Sequence, residues 1–353
     1  MTRSLQALEG KYEILDKMSE GGMGSVYKVR HRLLEEIRVV KVMRPGLAKD
    51  DVFRERFLRE ARVAIKLRHR HLAQVYDFTV SDDGQAFLIM EFIDGLTLHD
   101  LLRVSGPPSV PLAVDIVAQA LDVIGYLHQR QVVHRDISPD NLMVSVSEDR
   151  RPLVKLIDLG IASTPGGKAL TTAGVFLGKV RYSSPEHFQT GEGVVIDSRS
   201  DLYCLSLVAY ELLTGHHPIA ATDTAALIAG HLVEPPRPFE ETDPEGRVPP
   251  ALRGAVLRGL AKSPSDRFST ADEMGRVLRD AVGPDPPPDL DHFVRLFDHV
   301  PEETVDLGRP RPGSTQDRLD RSFKMEPTPA AGDAGQEIDR LGPAGAGPDA
   351  LVG

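Results

Sequence analysis

His134-Arg135-Asp136-Ile137-Ser138-Pro139-Asp140-Asn141 is the stretch that decides how this chain is read. It sets an aspartate and an asparagine five residues apart in one loop. Asp158-Leu159-Gly160 follows, after a strand-like run at 153–157. One carboxylate to orient a hydroxyl, with an amide and a second carboxylate to hold magnesium, is the donor set that phosphoryl transfer needs.

Upstream lies a second element of the same chemistry. Ser19-Glu20-Gly21-Gly22-Met23-Gly24-Ser25-Val26 is a glycine-rich turn, and Lys41 follows in Arg38-Val39-Val40-Lys41. Glycines let backbone N–H groups approach phosphate oxygens with no Cβ in the way. Taken alone, such a run serves a hairpin turn equally well. Downstream, Tyr182-Ser183-Ser184-Pro185-Glu186 and Lys262-Ser263-Pro264-Ser265-Asp266-Arg267 place a carboxylate and a guanidinium in two separate loops.

In this order the motifs resemble the protein kinase signature set over residues 12–282, and bacterial eukaryotic-like serine/threonine kinases in particular. The resemblance implies an α+β, two-lobed protein kinase fold, with a small β-rich N-lobe (12–93) and a larger helical C-lobe (94–282). A Pro/Gly-rich acidic tail (283–353) follows. It also implies ATP and Mg2+ as cofactors and protein hydroxyls as acceptors.

The residue patterns agree with that division. Residues 12–28, 37–43, 75–78 and 86–92 read as strands, and 52–67 as a helix with Phe53, Phe57, Ala61 and Ala64 on one face. Helical spacing covers 98–102, 111–129, 200–214, 221–231, 250–260 and 270–282. Asp94-Gly95 is the expected turn between lobes. The tail opens on Asp285-Pro286-Pro287-Pro288, a stiff linker, and is expected to be largely disordered for want of apolar surface. Its exception is the segment 290–300, where Phe293, Leu296, Phe297 and Val300 share a helical face; it is expected to dock on the catalytic domain or on a partner.

Carried over residue by residue, the resemblance assigns Lys41 to the α- and β-phosphates and Glu60, nineteen positions on, as its counter-charge. Met18, Ser19, Glu20, Gly21, Gly22, Met23, Gly24, Ser25 and Val26 would cover the nucleotide. Met90 corresponds to the gatekeeper, Glu91 and Ile93 offer backbone groups to adenine, and Met18, Val26, Val39 and Met143 sandwich the ring. Asp136 orients the acceptor hydroxyl, while Asn141 and Asp158 ligate magnesium. His134 and Leu159 would pack in an apolar column between lobes. Arg135 marks kinases whose activation segment is organised by a phosphate, with Thr171 and Thr172, then Ser163 and Thr164, as acceptors. Glu186 should pair with Arg267, and Asp201 should bond the catalytic-loop backbone.

Two positions depart from the family. Ser138 stands where it has lysine, and Lys179 follows Gly178 where it has threonine. Either the hydroxyl and the ammonium have exchanged places between two touching positions, or two independent losses have left a weak enzyme. Two further readings differ in class: a pseudokinase acting as a nucleotide-binding scaffold, and a small-molecule phosphotransferase.

Composition narrows the partners. The formal charge is −10, and residues 283–353 hold fourteen acidic against seven basic side chains. That balance argues against nonspecific nucleic-acid binding. Cys204 is the only cysteine, so no internal disulfide forms, and its apolar surroundings predict a buried, inert thiol. Among the histidines, His69, His71, His216 and His217 read as surface or hinge residues rather than metal ligands. No apolar run approaches the ~20 residues a bilayer demands, and Met1-Thr2-Arg3-Ser4 lacks a signal-peptide core. The expected location is cytoplasmic.

Overall fold

The computed structural model describes residues 8, 10–21, 24–43, 58, 61–81, 85–159, 180–189, 194–221, 223–282 and 290–298. A twisted antiparallel sheet comes first, built from β1 (Tyr12–Gly21), β2 (Gly24–His31), β3 (Ile37–Met43), β4 (Val75–Val80) and β5 (Ala86–Glu91). The strand order is β1-β2-β3-β5-β4. Burial in β3 alternates, with Arg38, Val40 and Val42 inside, as a half-covered pleated strand requires. Gly24 starts β2 at φ 149°, where a Cβ would overlap the Val42 carbonyl oxygen, so only glycine permits β2 to meet β3 there.

The second lobe is helical around a small sheet. β6 (Leu96–Thr97) leads into α1 (Leu98–Ser105) and α2 (Val110–Gln129); β7 (Leu142–Val146) and β8 (Pro152–Leu156) complete the β6-β7-β8 sheet. Then come α3 (Ser198–Thr214), α4 (Thr224–Leu232), α5 (Phe239–Thr242), α6 (Pro250–Gly259), α7 (Ala271–Val282) and α8 (Leu290–Asp298). The Thr97 hydroxyl caps α1 by accepting from Asp100 N, and Asp197 caps α3 by accepting from Arg199 N. Gly215, in the left-handed region at φ 76°, ends α3 by donating to the Glu211 carbonyl. Ile116, Ala120, Ile124 and Leu127 of α2 and Leu202, Leu205 and Leu212 of α3 fill the centre of the core.

The α+β two-lobed reading stands, with local corrections. β7 was missed because its run directly follows the catalytic loop, and β6 because two residues carry no periodicity. The helix read at 52–67 falls mostly outside the described residues, which show helix at 61–64. One expectation about membranes needs correcting: α2 has the length and apolarity of a span, with mean hydropathy 1.6. Its apolar residues face the protein core, which explains that composition without a bilayer. Cys204 is buried, and burial pushes its thiol well above the ordinary value. His71 and His217 are buried too, contrary to the surface reading: His71 Nδ1 meets the Val154 carbonyl, while His217 Nε2 meets the Arg181 carbonyl and its Nδ1 accepts from Ile219 N.

The 290–300 segment forms α8 as far as Asp298, with 299–300 outside the described residues. Phe293 (1% exposed) and Val294 (4%) join the main core, Phe297 packs against it, and the helix lies on β7. Within this chain the segment therefore packs on the helical lobe. Phe293→Ala should lower unfolding free energy by ~3–5 kcal/mol, the range for emptying a buried phenylalanine site. Urea denaturation checks this; an unchanged midpoint would mean that α8 adds nothing to the core.

Candidate active site

Everything at the centre is held by one buried carboxylate. Asp201, on the first turn of α3 and 1% exposed, accepts the His134 N–H on Oδ2 and the Arg135 N–H on Oδ1, each at 2.8 Å. His128 Nε2 lies 2.8 Å from the same Oδ2. Arg135 sits in the left-handed region at φ 66°. A non-glycine residue there costs about 1–2 kcal/mol, which two charge-assisted bonds to adjacent amides offset. The turn of the chain at Arg135 aims the next residue, Asp136, out of the core.

Asn141 follows Asp136 through a single 3-10 turn, Pro139–Asn141. Its side-chain Nδ2 donates to the Asp136 carbonyl at 2.7 Å, so the amide oxygen is the atom left to meet a cation. The Asn141 carbonyl accepts from Ile157 N at 3.0 Å and draws the strand after β8 alongside. Asp158 then lies next to the loop, where its carbonyl oxygen meets His134 Nε2. Its carboxylate reaches across to the other lobe, with Oδ2 2.5 Å from Lys41 Nζ. Leu159 packs against the cores of both lobes, and His134 is buried beside it.

The strands line up the remaining groups. Ser19, Glu20 and Gly21 of β1 pair with Val26, Ser25 and Gly24 of β2, while Val26 pairs with Lys41 and Val39 with Met90. Val39, Met90, Ile93 and Met143 share one apolar cluster, and Met18 is buried in β1. Glu91 ends β5 with its side chain engaged: Oε1 is 2.5 Å from Lys155 Nζ, and Oε2 accepts from Gln74 N. Gly22, Met23, Glu60, Lys179, Thr171, Thr172, Ser163 and Thr164 lie outside the described residues. Ser138 is half-buried at the entry of the 3-10 turn, its carbonyl accepting from Asn141 N.

Below the cleft the Glu186–Arg267 pair is bidentate, with contacts of 2.8 and 2.9 Å, and Ser200 Oγ adds a third bond at 2.5 Å. Arg267 also donates to the carbonyls of Ala261, Arg199 and Lys262, which satisfies a fully buried guanidinium. Sequence reasoning missed Glu211, which accepts from the Tyr182 hydroxyl at 2.5 Å and lies 3.5 Å from Arg181. It also missed His217, bonded to the Arg181 carbonyl. A lone carboxylate inside the apolar run 202–213 was the available signal for Glu211.

The fold and this site agree with the comparisons. The model of the protein kinase domain matches residues 12–276, and the chain belongs to the protein kinase family. Serine/threonine-protein kinase pkn3 of Myxococcus xanthus is 37% identical over 273 residues, covering 76% of this chain and 49% of that protein. PknH of Mycobacterium tuberculosis is 34% identical over 297 residues, covering 84% and 45%. The crystal structure of the M. tuberculosis PknI kinase domain superposes with a TM-score of 0.59 at 30% identity, covering 77% of this chain and 96% of that one. The chain thus spans about half the length of the curated relatives it matches.

The buried ion pair gives a pH signature. Burial alone would raise the Glu186 carboxyl, but the Arg267 hydrogen bonds and charge, helped by Ser200, hold it down at about 2. Its folded value lies below the unfolded one, so its stabilisation is full above about pH 4.5 and is lost as pH falls towards 2. Glu186→Gln should flatten the acid limb of the stability profile, read as urea midpoints between these limits. Arg267→Met should cost ~3–5 kcal/mol by stranding the carboxylate; a neutral result would show the pair to be dispensable.

Proposed function

We propose that this chain is an ATP- and Mg2+-dependent serine/threonine protein kinase. The observation that carries the reading is the contact between Lys41 and Asp158 across the two lobes, made beside the Asn141–Asp136 link. The names of the relatives support serine or threonine as acceptor. The donor set fits a magnesium–nucleotide complex: carboxylate oxygens on Asp158 and an amide oxygen on Asn141 are hard donors, and Lys41 offers a cation for phosphate oxygens. When bound, the ion and nucleotide supply the electrophilic γ-phosphoryl group and neutralise the charge that develops on it.

This chain's own residues do the rest. Asp136 takes the acceptor hydroxyl as a hydrogen-bond donor and points its oxygen at the phosphoryl group. Lys41 fixes the phosphates, with Glu60 as its counter-charge, and Asn141 and Asp158 hold the cation. Met18, Val26, Val39, Met90 and Met143 enclose the base in apolar surface and exclude water, while the backbone of Glu91 and Ile93 reads its edge. The glycine-rich turn from Ser19 to Ser25 covers the phosphates. We take residues 12–282 as the catalytic unit, working in the cytoplasm, where ATP is supplied and a single buried thiol needs no partner.

Activation by phosphorylation of Thr171 or Thr172 belongs to the same proposal. Arg135 Nε is buried and makes no hydrogen bond among the described residues, a donor suited to a phosphate arriving from the activation segment. The alanine pair at Thr171 and Thr172 should then reproduce the rate of phosphatase-treated protein; equal rates for treated and untreated wild type would remove this part.

The central test is labelled ATP with magnesium and mapping of the phosphorylated residues. Asp136→Asn should abolish transfer yet leave nucleotide affinity nearly unchanged, whereas Asp158→Asn should weaken magnesium-dependent nucleotide binding as well. Wild-type turnover in Asp136→Asn would sink the kinase reading and favour a binding scaffold.

For Ser138 and Lys179 we propose exchange: the Lys179 ammonium serves the γ-phosphate and Ser138 supplies the hydroxyl. Lys179→Thr should lower turnover on the order of 100-fold, equivalent to roughly 3 kcal/mol of lost transition-state stabilisation. Adding Ser138→Lys should recover most of it, with a coupling well beyond the ~0.5 kcal/mol of independent sites. Additive losses would make the two substitutions unrelated.

A further inference from the structure

A cluster of exposed basic residues lies where the short helix at 61–64 leads towards β4. Arg62, Lys66, Arg68, Arg70 and Arg130 are all exposed there. Tyr126 of α2 ties them together: its hydroxyl accepts from Arg68 N at 2.8 Å, and the Arg130 guanidinium lies 3.7 Å from its ring centre. His69 stacks on the same ring at 4.8 Å. Burial lowers its proton affinity; Asp122, 3.5 Å away, opposes this, while Arg70 and Arg130 lower it further. Asp149 also lies beside the surface, near Arg70. Five cations against these two carboxylates leave a clear positive excess, in a chain whose formal charge is −10.

The chain's own continuation is the complementary object. α8 is pinned to β7 by Phe293 and Val294. β7 pairs with β8, and the far edge of β8 is bonded to the segment that leaves the basic surface: Leu156 N donates to His71 O at 2.9 Å and Ala73 N to Leu156 O at 2.8 Å. Two strand spacings, about 10 Å, therefore separate β7, the strand that the anchored helix lies on, from that segment. Beyond Asp298 the sequence reads His299-Val300-Pro301-Glu302-Glu303-Thr304-Val305-Asp306-Leu307. Five residues from Asp298 to Glu303 span up to ~17 Å when extended, longer than that strand-to-strand separation.

We propose that residues 301–307 fold back onto this basic surface, with Glu302, Glu303 and Asp306 facing Arg62, Lys66 and Arg70. Anchoring by α8 raises the effective concentration of the acidic segment to the millimolar range, so individually weak contacts suffice. Attachment depends on charge and weakens with salt.

The test is zero-length carbodiimide coupling of the full-length protein, which joins a carboxylate to an amine with loss of water, followed by peptide mapping. An amide between Lys66 and Glu302 or Glu303 is expected at low salt, with its yield falling several-fold by about 0.5 M sodium chloride. Lys66→Glu should abolish it. Combining Lys66→Glu with Glu303→Lys should restore a link with the partners reversed, which rules out a mere folding defect. An equal mixture of 14N- and 15N-labelled protein distinguishes copies: links confined to one isotope support fold-back, and mixed links overturn it in favour of a second copy. Absence of any such link in the wild type overturns it outright, and capture of polyglutamate by the same surface would then assign it to an acidic partner.

Discussion

Two adjacent backbone amides, at His134 and Arg135, are held by one buried carboxylate, and the catalytic loop has its shape because of it. Asp201 belongs to α3, the helix at the middle of the larger core, so the loop inherits the rigidity of the most deeply packed element. A left-handed arginine would relax in an ordinary loop. Here relaxation would break two charge-assisted bonds in a dry environment, which costs more than the backbone strain. Asp136, Asn141 and Asp158 each depend on that geometry through one further hydrogen bond or turn.

The residues that the structure gathers at the candidate site were legible because their order along the chain is constrained by the fold. Asp136, Asn141, Asp158 and Lys41 were read from motif order, and the Glu186–Arg267 pair from the resemblance. Strands β1 to β5 followed from β-branched runs and turn signals, with ends shifted by a few residues. What escaped has a common physical cause. β6 is too short for a period, and β7 is buried on both sides, so its run Leu142–Val146 lacks alternation. Glu211, His128 and His217 earn their place through partners distant in sequence, and no local pattern announces such contacts.

α2 teaches a related lesson about composition. Its twenty residues include enough apolar side chains to suit a bilayer, yet they are spent against α3, α7 and β8. Helices surrounded by other elements lose the polar face that marks an amphipathic one, so hydropathy alone cannot separate a core helix from a span. The buried histidines mislead in the opposite direction. His217 sits among backbone carbonyls and beneath Tyr182, and burial pushes its proton affinity well below the ordinary value, so it behaves as a neutral, shaped polar spacer.

The family pattern stops at residue 276, but the core does not. Phe293 fills space between elements that have all been made earlier, so during synthesis the larger lobe is complete in sequence before it is complete in packing. Until α8 leaves the ribosome, the apolar face of β7 stands open to water and to neighbouring chains. The sequence between α7 and α8 is rich in proline, with Pro284, Pro286, Pro287 and Pro288. Packing of this lobe is thus completed by residues that lie beyond the stretch the family pattern covers.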